Sequence, residues 1–215
     1  MNFKSATTLY YKGNNGQIGL NGKDGTIPII FRDGKPGEAG GNGTDGEVGK
    51  KIIVHVKKEY DKVFDKEIFF VYAFDSITSA THIYRSLYPE KGIEINVCGG
   101  DGGAGGSGGD GSRGKAANEG KTAGDGGDGG FAGNGGNGAK GGKAIVIAHT
   151  NASEILGYLR IDNSGGVAGA FGRGGAAGAG GGGSSSGRIG KSGGNGNAGL
   201  PGEHGPNFEL KVEEF

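Results

Sequence analysis

The most informative part of this sequence is GGDGGAGGSGGDG (99–111), because glycine holds two of every three positions in it. GDGGDGGFAGNGGNGAKGG (124–142) has nearly the same pattern. A period of three is that of a polyproline-II-type helix, which leaves its backbone N–H and C=O groups to bond with neighbours. A bare glycine face lets another backbone approach closely. We therefore expect both stretches to be central helices of a bundle.

The period of three continues on both sides of these stretches. Glycine recurs in phase through six tracts, numbered here in chain order: 13–25, 34–49, 99–114, 120–142, 166–181 and 187–205. Glycine fills 55 of 215 positions, which alone would suggest disorder. A flexible linker has no reason to keep phase, so we predict about six left-handed helices of the polyglycine-II or polyproline-II type. The glycines expected to hold this bundle together are Gly102, Gly105, Gly108, Gly129, Gly135, Gly138, Gly169, Gly172 and Gly175.

The segments between the tracts are short and rich in β-branched and aromatic residues, as strands are. The predicted strands are 52–56, 68–74, 93–97, 144–149, 156–161 and 208–214, with weaker candidates at 8–11 and 27–31. One short α-helix is predicted over 76–88, where apolar residues recur at helical spacing after a capping Ser76. We therefore expect a mainly β fold that carries the glycine bundle. Residues 1–215 would form a single domain, with 50–98 as a β/α insertion.

Composition excludes several classes of protein. A single cysteine rules out a disulfide framework and a cysteine-based zinc module. The 23 basic and 23 acidic residues cancel, so there is no strong signal for nucleic-acid binding. No run of 18 apolar residues occurs, and the N-terminal stretch lacks the apolar segment of a signal peptide. We therefore expect no membrane span and a cytoplasmic protein.

The sequence contains no readable catalytic, cofactor or metal site. GRIGKS (187–192) resembles a phosphate-binding loop, but Ser185 replaces the first glycine of that motif, and its glycines also fit the triplet period. The histidines lack the spacing of metal ligands. They are His55, His82, His149 and His204. We therefore expect a protein that is not an enzyme and uses no cofactor or metal.

Specific recognition requires side chains, and the glycine tracts offer few of them. The richest set is predicted between Lys57 and Glu67, where Tyr60 and Phe64 lie four residues apart among mixed charges. Exposed aromatic residues with polar neighbours are typical of interaction hot spots. The candidate binding residues are Lys57, Lys58, Tyr60, Lys62 and Phe64. A solvated hairpin tip at about 58–66 is the alternative, since most charged turns are only surface.

Three segments resemble the glycine-rich N-terminal domain of Obg GTPases: IEINVCGGDGGAGG (93–106), GGNGAKGGKAIVIAH (135–149) and GNAGLPGEHGPNFELKVEE (196–214). The resemblance implies a small β core carrying six left-handed glycine helices, and a non-catalytic module that docks on the ribosome. Residues 50–98 have no counterpart in that domain, and no functional residue is carried over. The predicted bundle is also similar to the stacked polyglycine helices of phage tail-tip adhesins and the snow-flea antifreeze protein.

These observations favour a non-enzymatic structural or binding module that presents loops to a protein or ribonucleoprotein partner. A receptor-binding adhesin is the first alternative, because the turns at 26–33 and 115–123 leave room for recognition loops. An ice-binding protein is a weaker alternative. Ice binding needs a flat uncharged face, and outer positions of the tracts carry charges such as Lys23, Asp24 and Glu38.

Overall fold

The computed structural model describes residues 7–27, 29, 32–86, 92–118 and 120–214. These residues form a mainly β fold of eight strands with one 3-10 helix. The strands are β1 (Thr7–Tyr10), β2 (Lys51–Asp61), β3 (Lys66–Asp75), β4 (Thr81–Ser86), β5 (Ile93–Asn96), β6 (Lys143–His149), β7 (Leu159–Asp162) and β8 (Glu209–Glu213), and the 3-10 helix is Thr150–Tyr158.

Two sheets pack against each other as a sandwich. One has three parallel strands in the order β1-β5-β7. The other has the order β4-β3-β2-β6-β8, in which β2, β6 and β8 are parallel and β3 and β4 are antiparallel additions. Apolar residues alternate along β2, so one of its faces enters a core shared by both sheets. Leu9 and Ile95 meet Val54, Val71 and Val146 in that core.

Each glycine tract is continuous with a strand of the sandwich. Tracts 1, 3 and 5 follow β1, β5 and β7, which are the three strands of one sheet. Tracts 2, 4 and 6 lead into β2, β6 and β8, the parallel strands of the other sheet. The sheet order therefore sets the order of the tracts beside one another.

Backbone hydrogen bonds join the tracts into what we call the glycine array. Odd-numbered tracts bond to each other in parallel: Gly16 and Gly19 donate to the carbonyls of Asp101 and Ala104. Even-numbered tracts do the same, and tracts consecutive in the chain bond antiparallel. The N···O distances are 2.6 to 3.2 Å. Tracts 3 and 4, expected to be central, each bond to four other tracts, whereas tracts 1 and 6 bond to two.

The predicted α-helix over 76–88 is wrong where the structure describes it. Asp75 ends β3, and its Oδ1 accepts the backbone N–H groups of Ile77 and Thr78 in a tight turn. Ser79 then has a φ of 58°, a left-handed conformation that breaks a helix. Residues 81–86 pair with β3 as a strand, so tertiary pairing overrides the helical spacing. The last two residues of the prediction, 87–88, lie outside the described residues.

Two strand predictions also need correction. The strand over 156–161 begins only at Leu159, because the 3-10 helix continues to Tyr158 and buries Ala152 and Ile155 in the core. Of the weaker candidate 27–31, residues 28, 30 and 31 lie outside the described residues, and the described Ile27 and Ile29 are not in a strand.

Candidate binding surface

The β2–β3 hairpin contains the predicted contact residues, with its turn at 62–65. Asp61 is buried at the start of this turn. Its Oδ1 accepts the backbone N–H groups of Val63 at 2.8 Å and Phe64 at 3.4 Å. Its Oδ2 lies 3.5 Å from Nη1 of Arg85 on β4. One carboxylate therefore fixes the turn to the end of the sheet.

Three of the predicted contact residues lie on the surface of this hairpin. Tyr60 is 58% exposed and Phe64 is 43% exposed, and Lys62 is exposed as well. The Tyr60 hydroxyl donates a hydrogen bond to Oδ1 of Asp65, which raises the pKa of Tyr60. The two aromatic rings are therefore accessible to a partner, and one of them is already oriented.

The other two predicted residues, Lys57 and Lys58, lie on opposite faces of the sheet, because side chains alternate along a strand. On the outer face, Nζ of Lys57 is 2.5 Å from Oε1 of Glu59 and 4.7 Å from the centroid of the Tyr72 ring. On the inner face, Nζ of Lys58 is 2.9 Å from Oε1 of Glu154. The five predicted residues therefore do not form one continuous patch.

The outer face beside Lys57 forms an open groove of about 570 Å³. The sheet register creates it, since His55 of β2 lies between Tyr72 of β3 and Ile147 of β6. The lining residues are His55, Lys57, Lys58, Glu59, Tyr72, His149 and Asn151. The backbone of Lys58 lies beside the groove, since its carbonyl accepts a hydrogen bond from Nδ2 of Asn151 at 3.0 Å, while its side chain reaches Glu154. Aromatic surface is combined there with hydrogen-bonding groups. Such a groove can hold a small polar ligand or a side chain of a partner.

Glu59 supplies the carboxylate of the groove. Hydrogen bonds from Lys57 and from the Tyr72 hydroxyl, the latter at 3.0 Å, lower the pKa of Glu59. The hydrogen bond to Glu59 raises the pKa of Lys57, and burial raises the pKa of Tyr72. The three groups therefore form a neutral cluster in which each keeps its ordinary protonation state at pH 7.

Sequence reasoning missed that His55 and His149 line the same groove. They are far apart in the chain, and only the parallel pairing of β2 with β6 brings both to one face. The available signal was a histidine near the end of each of two similar apolar strands, IIVHV and AIVIAH. Among the described residues, no three His, Cys, Asp or Glu side chains are grouped to hold a metal ion.

The GRIGKS segment is part of the glycine array. Its two glycines donate their backbone N–H groups to carbonyls of tract 5. The N–H groups of Arg188 and Lys191 donate to Oδ1 of Asp125 and Asp128, at 2.7 and 2.6 Å. A phosphate loop directs such N–H groups at its ligand. In this protein they are already used by the fold.

The three chain reversals of the array form a second surface, which we call the tip. Its described residues are 26–27, 29, 32–33, 115–118, 120–123 and 182–186. Arg32 links the first two, because its guanidinium donates to Oδ1 of Asn118 at 3.1 Å and to two backbone carbonyls of the second reversal. Oγ of Ser185 accepts the backbone N–H of Ala123 at 2.9 Å. The tip is therefore one connected surface.

Comparison of the chain with protein families, curated proteins and solved structures finds no match. In the described part of the chain, no helix has the length and apolar character needed to cross a membrane. Any assignment of function therefore depends on the geometry of the hairpin, the groove and the tip.

Proposed function

We propose that this protein is a non-enzymatic binding module, a stiff glycine-rich scaffold that presents loops to a protein or ribonucleoprotein partner. The observation that carries the proposal is that tracts 1, 3 and 5, which lead away from the sandwich, all reverse at the same end of the array, the tip. A tract of about sixteen residues at three residues per turn extends roughly 50 Å. The tip is thereby held far from the sandwich, where it can enter a site on a large partner.

The same proposal includes the conformation of the tracts, which we infer to be left-handed polyglycine-II helices in an Obg-like arrangement. The support is the spacing of the donors, since bonded glycine N–H groups recur at every third residue in each tract. Each tract bonds to its neighbours and contains no α-helix or strand. This pattern agrees with the resemblance to the glycine-rich domain of Obg GTPases.

The glycines give the scaffold its stiffness, because backbones touch where side chains would otherwise be. A Cβ on Gly135 would lie 2.1 Å from the carbonyl oxygen of Gly169, and one on Gly105 would lie 2.2 Å from that of Gly133. All nine glycines predicted from the sequence would bring a Cβ within 2.2 Å of a backbone oxygen. Real Cβ atoms do not approach this closely, so each position requires glycine.

Asparagine and aspartate side chains add a second set of hydrogen bonds between tracts, which we call bridges. They lie on two outer faces of the array, one formed by the odd-numbered tracts and the other by the even-numbered tracts. Oδ1 of Asn42 accepts the backbone N–H of Asn134, and Oδ1 of Asn134 accepts that of Asn197, both at 2.8 Å. The other bridging residues are Asn15, Asn21, Asp24, Asp33, Asp45, Asp101, Asp110, Asp125, Asp128 and Asn137. These bonds tie neighbouring tracts together without any buried side chain.

A receptor-binding adhesin is the second candidate. The observation in its favour is the exposure of two apolar side chains in the first reversal of the tip, Ile27 at 64% and Ile29 at 91%. Isolated isoleucines of this kind are suited to an apolar pocket on a receptor. Ice binding has less support, because both outer faces of the array carry charged residues, including Asp101, Arg173 and Lys191.

Photo-cross-linking tests the proposed function. A cross-linking residue is placed at Ile29 in the tip, at Tyr60 in the hairpin, and at the exposed Gln17 in tract 1 as a control. The two probes are purified ribosomes and intact bacterial cells. We expect one defined product from the tip or the hairpin and none from Gln17. Ribosome cross-links would favour the first candidate and cell-surface cross-links the adhesin, whereas equal labelling from all three positions would contradict both.

The non-enzymatic part of the proposal has its own test. Because the N–H groups of GRIGKS are used within the array, we expect no hydrolysis of GTP or ATP. Phosphate release is measured for the wild type and for Lys191→Ala. Turnover that disappears in the variant would contradict the proposal and restore the phosphate-loop interpretation.

A further inference from the structure

One side of the glycine array is free of acidic and basic charge, unlike the rest of its surface. This uncharged flank consists of one row of tract 5 and one row of tract 6. The row of tract 5 is Gly165, Ala168, Phe171, Gly174, Ala177 and Gly180, in which a Cβ on any of the three glycines would lie 2.1 Å from a carbonyl oxygen of tract 6. The row of tract 6 is Ile189, Ser192, Asn195, Ala198, Pro201 and His204. Phe171 is 47% exposed and Ile189 is 73% exposed. His204 is the single titratable side chain among them.

The opposite flank, formed by tracts 1 and 2, has a different character. Its rows contain Lys23, Lys35, Glu38 and Glu47. The two outer faces also carry charges, many of them on the bridging aspartates. Charged residues are depleted at the centres of protein interfaces. The uncharged flank is therefore the side of the array best suited to contact with another protein chain.

Several backbone N–H groups on this flank also lack partners within the described residues. In tract 3, the row of Gly102 and Gly105 donates N–H groups to tract 5. The corresponding row of tract 5 contains Ala168, Phe171, Gly174 and Ala177. The N–H of Gly174 donates to Oδ1 of Asn195 at 3.0 Å, and the N–H groups of the other three have no partner in the described chain. A row of unpaired backbone donors is a template for another extended chain, as at the edge of a sheet.

The sandwich continues this edge. Tract 5 follows β7 and tract 6 leads into β8, so the unpaired edges of both sheets lie on the same side as the uncharged flank. Phe208, Leu210 and Val212 are each about half exposed there. Phe208 and Leu210 border an apolar cleft of about 110 Å³ whose other walls include Leu156 and Leu159.

We propose that the uncharged flank and the β7–β8 edge together form the interface of a two-fold dimer of this chain. A two-fold axis along the tracts sets tract 5 against tract 6 of the second copy. The two then run antiparallel, as consecutive tracts do throughout the array. The same rotation brings β7 to the second copy's β8, and both tips point the same way. A two-fold interface uses one patch twice, which the uncharged flank permits without repulsion, while the β7–β8 edge carries charges of both signs.

The size of this surface fits a stable dimer. About 50 Å of tract and about 15 Å of strand, two backbones or roughly 10 Å wide, give roughly 650 Å² per copy. Stable complexes bury about 800 Å² per partner, with a range that includes this value. A single added peptide would cover only half of the flank, so a second copy is the better match.

Sedimentation velocity over the micromolar range tests the dimer. Ser192→Asp with Ala198→Asp places two charges on exposed positions of the flank. The matched control, Ala39→Asp with Asn197→Asp, adds the same charge on exposed positions of the adjacent outer face. We expect a dimer for the wild type and the control. For the flank variant we expect association to weaken, with the dissociation constant of the dimer raised by about tenfold or more.

Circular dichroism checks that each variant is folded, and Ile189→Lys serves as a second flank variant if the first fails to fold. A wild type that is monomeric throughout the range would overturn the proposal. So would a dimer that survives both flank variants, or one that the control disrupts equally. The dimer is independent of the partner proposed above, because it is measured on the protein alone.

Discussion

The sandwich and the glycine array are stabilised in opposite ways. The largest fully buried side chains, among them Leu9, Ile52, Ile95 and Ile155, all belong to the sandwich. In the array the most buried positions are glycines, for example Gly103 and Gly106, and stability comes from backbone hydrogen bonds. The sandwich is therefore held by apolar side chains removed from water, and the array by close backbone contact.

This difference predicts different tolerance to substitution. An apolar core accepts many volume-conserving changes, since neighbouring side chains can repack. A backbone-to-backbone contact has no side chain that can move aside. The array should therefore be the more sensitive region, although it contains far less apolar surface.

The largest effect is expected from Gly105→Val and Gly135→Val. Each new side chain would collide with a carbonyl oxygen of a neighbouring tract, so the tracts must separate. Because the tracts continue into the strands, we expect the whole protein to lose its folded structure in one transition. Thermal melting followed by circular dichroism is the measurement. Gly157→Val is the control, since a Cβ there has no neighbour within 4 Å. Melting curves unchanged from wild type for both tract variants would refute close backbone contact.

A smaller effect is expected in the sandwich from Asp75→Asn. Burial alone would raise the pKa of Asp75, but hydrogen bonds from Lys50 and the N–H groups of Ile77 and Thr78 outweigh it and keep the pKa well below its usual value. The folded pKa is thus below the unfolded value of ~3.9, so the stabilisation is present above that pH and is lost as the pH falls through the folded pKa. The free energy of unfolding of the variant should be about 2 kcal/mol lower than that of the wild type at neutral pH.

Chemical denaturation at several pH values measures this loss. The variant's stability should also change less than that of the wild type between pH 5 and pH 2. Glu67→Gln, an exposed position on the same strand, is the control and should follow the wild type. Equal acid sensitivity in Asp75→Asn and the wild type would show that this carboxylate does not stabilise the turn.

Removing one bridge on an outer face should lower the free energy of unfolding by less than Asp75→Asn does. Asn134→Ala removes the acceptor for the backbone N–H of Asn197, with an expected loss of about 1 kcal/mol. Asn197→Ala is the matched control, because Asn197 is the other residue of this bridge and its side chain accepts no bridge in the described structure. Equal stability of the two variants in urea would mean that the bridges contribute nothing.

The smallest effect on stability is expected from the double change Tyr60→Ala with Phe64→Ala. Both rings are exposed on the hairpin, so the free energy of unfolding should change by less than about 0.5 kcal/mol. If the hairpin is the contact surface, binding to the cross-linked partner should weaken by a factor of about ten or more. A clear fall in melting temperature would instead show that these rings are part of the core.

Much of the candidate surface could be predicted from the sequence. The charged stretch between two apolar strands indicated a hairpin, and its aromatic residues Tyr60 and Phe64 are exposed in the structure. The opposite placement of Lys57 and Lys58 also follows from strand alternation, once the strand is known to extend to Asp61. The groove could not be predicted, because His55 and His149 meet only through strand pairing.

The local repeat is a property of the amino-acid sequence alone. Glycine at every third position specifies where backbones can touch, and alternating apolar residues specify the strands, because both depend only on neighbours along the chain. Tertiary structure alone decided the rest. Residues 81–86 became a strand because β3 offered an edge, and Asn134 became a bridge because tract 6 lies beside it. Such pairings join residues distant in the chain, so their partners exist only after folding.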